Sequence, residues 1–314
     1  MNIHSEVIVK STETRMMRLY FIFLASNVVA LTTPVSSRRA VLYGGTSLAA
    51  VLRFSESSVA ADLFGELISR LDAPLVKQSS IAPMAGKEPR LPSWLAGRWQ
   101  AEQTLQRYSV PLGVQYIGAA GRPLAEAEAS AAQTRAQIDK TVALELRWAV
   151  APDGGAIEDR AFNARSRLDA FAGRQVVRSS TTCAEAGVDA PGIACTFVDF
   201  NGPIVQKQFV NSVKVALAAP PQAEGAFISS EIMRAILARR KVAGDTRDFP
   251  PLTVDSEVLL SLAPTGRDNA VGRVRLVEFL NPQAPLYFAA GGSSVSISDY
   301  SLTLTRVSDG WVTG

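Results

Sequence analysis

The sequence predicts a mainly β protein with minor α: one antiparallel barrel of about eight strands, with two or three short helices. Three observations predict it. Segments such as 141–150 alternate apolar and polar side chains strictly, which is the period of a strand with one buried and one wet face. Such segments recur over the last two thirds of the chain, separated by turns rich in Pro, Gly and Asn. About eight of them close a barrel whose interior holds either its own side chains or one small ligand.

Composition bounds the rest. With 314 residues, 47% apolar and 19% charged, the chain can bury a sizeable core. Its net charge of +3 is unevenly placed. Residues 1–61 hold six Lys and Arg against three Asp and Glu, and the remainder holds 26 of each. The body is therefore neutral and has no basic stripe interleaved with aromatics, which excludes nucleic acid as a partner.

The first sixty residues read as two addresses in tandem. Met16, Met17 and Arg18 precede an apolar run over 19–31, too short to span a bilayer as a helix and ending in the small-residue pattern of a secretory signal. The start codon could be Met1, Met16 or Met17. A second signal follows: Arg38 and Arg39, a mildly apolar run over 40–52, then Ser58-Val59-Ala60-Ala61 as a cleavage site. Twin arginines in that setting resemble a twin-arginine export signal. The pair suits an alga whose secondary plastid lies behind extra membranes, and it addresses the mature chain to the thylakoid lumen. The expected organisation is a targeting segment over 1–61, an N-terminal helix and linker over 62–90, the barrel over 91–307 and a tail over 308–314. No integral membrane segment is expected in the mature chain.

Leu63, Phe64, Leu67, Ile68 and Leu71 fall at helix spacing, and Pro74 limits that helix. The first strand opens at Gly97, with Trp99, Ala101 and Leu105 on the apolar face. Residues 124–140, rich in Ala, Glu and Gln, favour a helix on the surface or across one end. The next strand, 141–150, puts Val142, Leu144, Leu146, Trp148 and Val150 on one face, and Pro152-Asp153-Gly154-Gly155 ends it. Asn163 is placed to cap a short helix that turns Leu168 and Phe171 inward and ends before Gly173.

Strands are expected over 174–182, 193–200 and 205–217. Ser229 and Ser230 are expected to cap a further helix, with Ile232, Met233, Ile236 and Leu237 on one side and Arg239-Arg240-Lys241 at its end. Two strands around the turn 265–269 and a last strand over 299–307 complete the barrel.

Gly97 two places before Trp99, matched by Arg306 in the final strand, resembles the closure of lipocalin-like barrels, in which an indole seals the floor and a cation lies over it. Four further motifs resemble one particular family. They are Pro-Ser-Trp-Leu-Ala-Gly-Arg-Trp-Gln at 92–100, Asp-Arg-Ala-Phe-Asn-Ala-Arg-Ser at 159–166, Phe-Ile-Ser-Ser-Glu-Ile at 227–232, and Asn-Pro-Gln-Ala-Pro-Leu-Tyr-Phe at 281–288 followed by Tyr-Ser-Leu-Thr-Leu-Thr-Arg at 300–306. Their order and spacing are similar to those of an uncharacterised family of cyanobacterial and plastid proteins, catalogued as a domain of unknown function. The resemblance covers about 91–307 and implies a plastid setting, with no catalytic residues to carry over. The Ala-rich stretch 124–140 and Ser293-Ser294-Val295-Ser296 depart from the family pattern.

Chemistry is limited by one missing residue type. The single histidine, His4, lies ahead of any mature start. That removes Ser-His-Asp and Cys-His catalysis and histidine-bound metals. Glu158 and Asp159 are the densest acidic pair, but neighbours on a strand point to opposite faces and cannot serve one substrate atom. Gly291-Gly292-Ser293-Ser294 lacks the lysine and helix of a phosphate loop. Cys183 and Cys195, the only cysteines, lie near each other if their flanking strands pair, as a disulfide or as two buried thiols; an oxidising lumen favours the bridge.

Two non-enzymatic classes remain, with an enzyme as a third reading. In the first, the barrel binds an apolar small molecule such as a pigment, quinone or lipid, lined by Leu144, Leu146, Trp148, Val213, Val215 and Leu302. In the second, those side chains fill the barrel, and the protein is a lumenal assembly or scaffolding factor for photosynthetic complexes. No cofactor and no metal are expected, and barrel closure falls to Gly97, Trp99 and Arg306.

Overall fold

A computed structural model describes residues 56–80, 87–117, 123–188, 192–218, 224–240 and 250–307. The two targeting signals read over 16–52 and the tail over 308–314 lie outside the described residues. The second signal's cleavage site, 58–61, falls in the first helix.

The helices are α1 (Glu56–Asp72), α2 (Leu124–Arg135), α3 (Arg160–Ala172) and the single turn α4 (Tyr287–Ala290). The strands are β1 (Gly97–Ser109), β2 (Thr141–Val150), β3 (Ala156–Glu158), β4 (Val177–Thr182), β5 (Ala194–Phe200), β6 (Ile204–Leu217), β7 (Phe227–Arg239), β8 (Leu252–Pro264), β9 (Asn269–Phe279) and β10 (Ser296–Arg306). All ten join one antiparallel sheet in the order β3-β2-β1-β10-β9-β8-β7-β6-β5-β4. Every neighbouring pair is consecutive in the chain except β1 and β10. The sheet curls into a half-barrel.

Three expectations are corrected. The strand count is ten among the described residues, not about eight, and β3 and β4 do not pair, so no ladder closes the barrel. The helix expected from Ser229 is instead β7, bonded to β6 on one side and β8 on the other. Its adjacent residues Phe227 and Ile228 are both 0% exposed, one in each of two cores. A strand covered on both faces puts apolar residues next to each other, and the alternation that marks a half-wet strand is lost.

The third correction concerns α3. Asp159, not Asn163, is its N-cap, accepting from Phe162 N at 3.1 Å. Asn163 lies one turn inside, fully buried, and binds the edge strand: its Oδ1 accepts from Arg147 N at 2.8 Å and its Nδ2 donates to Arg147 O at 3.1 Å. One turn further, Ser166 Oγ accepts from Glu145 N at 3.1 Å. At the helix's far end, Asp169 Oδ1 accepts from Val176 N and Val177 N at 2.6 and 2.8 Å, where β4 begins. The helix therefore fills the gap between β2 and β4 with side-chain hydrogen bonds in place of a ladder. Val177, Val198 and Phe200 pack on its Ala164, Leu168 and Ala172. Gly173 ends it in the left-handed conformation, φ 62°.

Two cores share the sheet. The inner one joins Trp99, Leu144, Leu146, Trp148, Phe227, Leu262, Leu302 and Leu304. On the outer face, Leu67 and Leu71 of α1 cover Ala216, Ile228, Leu259, Val277 and Ile297. The N-terminal helix thus packs on the half-barrel. Polar contacts fix it there: Arg70 makes a paired bond to the buried Glu257 carboxylate at 2.7 and 2.5 Å. Arg275, also buried, donates to Ala73 O at 2.6 Å just past the helix end, while pairing with Asp299 at 2.6 Å.

Candidate functional site

The interior of the half-barrel has a sealed end, a mainly apolar middle interrupted by Ser229 and Glu231, and a polar end. Strand periodicity builds all three, because alternate residues of each strand face inward.

At the sealed end, Trp99 is fully buried and its Nε1 donates to Leu95 O at 2.7 Å. The Arg306 guanidinium lies over the indole, 4.2 Å from its centroid, and donates to Ala96 O at 2.7 Å and Trp94 O at 2.5 Å. Gly97 is required beside it: its φ is +123°, and a Cβ there would stand 2.7 Å from Arg306 Nη1. Trp94 meets Trp99 edge to face at 6.1 Å and Phe227 at 6.2 Å, and its Nε1 donates to Gly225 O at 2.8 Å. This ring cluster ties the start of β1 to the start of β7.

Four of the six residues expected to line a ligand site, Leu144, Leu146, Trp148 and Leu302, are at most 4% exposed and pack against this seal. Val213 and Val215 stay half-buried. The register carries their rows across to further inward residues that sequence reading missed: Glu231 opposite Val213, then Val258, Leu276 and Ser298; and, one step nearer the seal, Ser229 opposite Val215, then Leu260 and Val274. Val258, Leu260, Val274 and Leu276 are all half-buried although they face inward. Their alternation was visible, but which face is inner depends on the pairing of distant strands.

The polar end holds Glu278 of β9, 4% exposed, whose Oε2 accepts from Ser296 Oγ at 2.5 Å. Burial pushes its carboxyl up to about 8 against that hydrogen bond, so the group is largely protonated at neutral pH. Burial likewise pushes Tyr300 up to about 12, with a bond to Ser298 opposing and the Glu278 charge adding. Tyr108 is pushed up by burial first and then by Glu278, with the Arg135 charge opposing. Its hydroxyl is buried and has no hydrogen-bond partner among the described residues. The end of β1 that carries Tyr108 is covered by Ile117 and by Ala131 of α2.

On the α3 side, Phe171 meets Tyr300 edge to face at 6.2 Å. Arg160 reaches inward to Glu231 at 2.8 Å, and also holds Glu88 at 2.5 Å and Glu158 at 3.2 Å. Burial opposes the Arg160 charge, but Glu231, Glu158 and Glu88 hold its pKa well above the ordinary value. Burial would raise Glu158, yet Arg167 and Arg160 bring it down to about 2. Glu158 is thus a fixed anion in an ion network, and Asp159 is a helix cap. Neither is placed as an acid or base. Among the described residues, no group of three or more His, Cys, Asp or Glu converges as a metal set would.

Cys183 and Cys195 are joined by a disulfide, with Cα atoms 5.3 Å apart, closing the β4–β5 hairpin well away from the seal. Among the described residues, no helix is long and apolar enough to cross a membrane.

Fold and interior together define an antiparallel half-barrel, sealed at one end by tryptophan and arginine and closed along its side by a helix. Residues 85–308 match the family described as Domain of unknown function (DUF6816), and the chain belongs to that family. No curated protein and no solved structure matches it.

Proposed function

We propose that the half-barrel binds one apolar small molecule, of the pigment, quinone or lipid class, in its interior, without catalysing a reaction on it. One observation carries the reading: Val213, Val215, Val258, Leu260, Val274 and Leu276 face inward and are only half-buried. A barrel packed with its own side chains would bury them, as the sealed end buries Leu144 and Leu302. A concave, mainly apolar wall with a few placed polar groups, here Ser229 and the Arg160-bound Glu231 in the middle and Glu278 at one end, is the usual form of a small-molecule site.

The reading extends to location. The tandem signals support delivery to the thylakoid lumen of a secondary plastid, an oxidising compartment suited to the Cys183–Cys195 bridge. Residues 16–65 fused to a fluorescent protein should direct it to plastids; cytosolic or mitochondrial fluorescence overturns the assignment.

A second reading, a lumenal assembly or scaffolding factor, draws on Phe288, which stands 87% exposed on α4. A ligand panel separates the two. A binder's tryptophan fluorescence is quenched saturably by a carotenoid, a quinone or a fatty acid, and the same compound raises its melting temperature by mass action. Absence of both effects across the panel ends the binding reading in favour of the scaffold.

A further inference from the structure

The interior is not uniform, and its polarity has a direction. Register lays the polar end down in two adjacent rows. Tyr108 stands opposite Ser298, which stands opposite Leu276; one step further, Ser296 faces Glu278, which faces Ser256. All six side chains point to the inner face. The opposite end, around Trp99 and Phe227, is apolar and filled. A molecule lying in the interior therefore has its apolar body against Val258, Leu260, Val274 and Leu276, beside the Arg160–Glu231 ion pair, and its other end among hydroxyls and a carboxyl.

The Tyr108 hydroxyl supplies the decisive observation. Its oxygen is buried, the residue is 7% exposed, and among the described residues nothing bonds to it. Native folds rarely leave a buried hydroxyl unpartnered, and one that persists calls for a missing partner. The groups around it constrain that partner. Tyr300 is engaged with Ser298, and Ser296 with Glu278. None of the six side chains of the polar end is a cation, and the one cation that acts on Tyr108, Arg135 at the end of α2, is exposed to solvent, so an anionic headgroup finds no buried counter-charge among them.

We infer that the ligand is an amphiphile with a neutral hydrogen-bond acceptor, a carbonyl oxygen, at one end, and that Tyr108 donates its hydroxyl proton to that oxygen beside Glu278. The inference rests on the apolar-ligand reading and adds the ligand's polar group and its orientation. The carbonyl lies at the Tyr108 end and the chain runs toward Trp99. A protonated Glu278 suits this, because a neutral carboxyl neither repels a carbonyl oxygen nor demands a cation.

Three probes of one chain length test it in the purified full mature protein: 2-decyl-1,4-benzoquinone, decylbenzene and decanoate. Dissociation constants come from tryptophan quenching and are checked by thermal shift. The quinone should bind about tenfold more tightly than decylbenzene, as one good hydrogen bond allows, and decanoate should bind most weakly. In Tyr108→Phe, the ratio of quinone to decylbenzene affinity should collapse toward one. That variant removes only an unpartnered hydroxyl, so folding is preserved. In the native protein, the carbonyl stretch of bound quinone should move to lower frequency, and Tyr108→Phe should return it. Equal affinities for quinone and decylbenzene, or a ratio unchanged in Tyr108→Phe, overturn the inference while the apolar-ligand reading stands. If no probe binds, both fall.

Discussion

Asn163 gives Arg147 the two hydrogen bonds that a neighbouring strand would give: Oδ1 accepts from Arg147 N at 2.8 Å and Nδ2 donates to Arg147 O at 3.1 Å. The sheet stops pairing at β3, and the chain between β3 and β4 folds into the helix that fills the space. Asn163→Leu would keep the volume and orphan the edge. With one or two buried backbone groups left unpaired at about 1 to 3 kcal/mol each, the loss should be about 2 to 4 kcal/mol in denaturant unfolding. A midpoint equal to that of the parent contradicts the role.

Trp99 and Arg306 should behave as a coupled pair. Trp99→Ala, a large-to-small core change, should cost about 3 to 5 kcal/mol. With Arg306→Ala added, the total should fall short of the sum by at least about 0.5 kcal/mol, because the cation already lacks its ring. Strict additivity refutes the contact.

Glu278 makes stability depend on pH in a definite direction. Its folded pKa, about 8, lies above the ordinary 4.5, so the native state binds a proton that the unfolded chain releases. The stability from the neutral carboxyl is fully present below about pH 4.5 and is lost as pH rises through about 8. Glu278→Gln removes this titration. The variant should match the parent in acid and gain on it progressively from pH 5 to about 8. Melting curves that stay parallel across that range show Glu278 to be ionised in the fold.

The bridge between Cys183 and Cys195 closes a short loop and should be worth about 3 kcal/mol on the entropic account. Alkylation under denaturing conditions should label neither thiol before reduction and both after it. Protein taken from its native compartment that labels at both without reductant has no bridge.

The strands that could be read from the sequence are those with one wet face. β2 is the clearest: Leu144, Leu146 and Trp148 are buried, and the residues between them are half-buried. β7 was misread because Phe227 serves the inner core and Ile228 the core under α1. The apolar pair at Ile232 and Met233, repeated at Ile236 and Leu237, then mimics a helical stripe. The seal was legible because Gly97, Trp99 and Arg306 announce themselves by residue type.

The polar end was not legible. Tyr108 and Glu278 are ordinary residues in their own strands, and only the β1–β10–β9 register sets them on one inner surface. The closure by α3 was hidden for a related reason. Asn163 was read as a cap because its side chain competes for backbone groups, which it does, but on β2 rather than on its own helix.

The claim that matters most is that the half-barrel carries a molecule in the cell. The direct measurement is mass spectrometry of an organic extract of the protein, purified without detergent from its native compartment. The expected result is one apolar compound bearing a neutral carbonyl, near one equivalent per chain, and depleted in extracts of a Val258→Trp variant that blocks the inner wall. An extract holding no apolar compound above that of a control protein from the same preparation contradicts the claim.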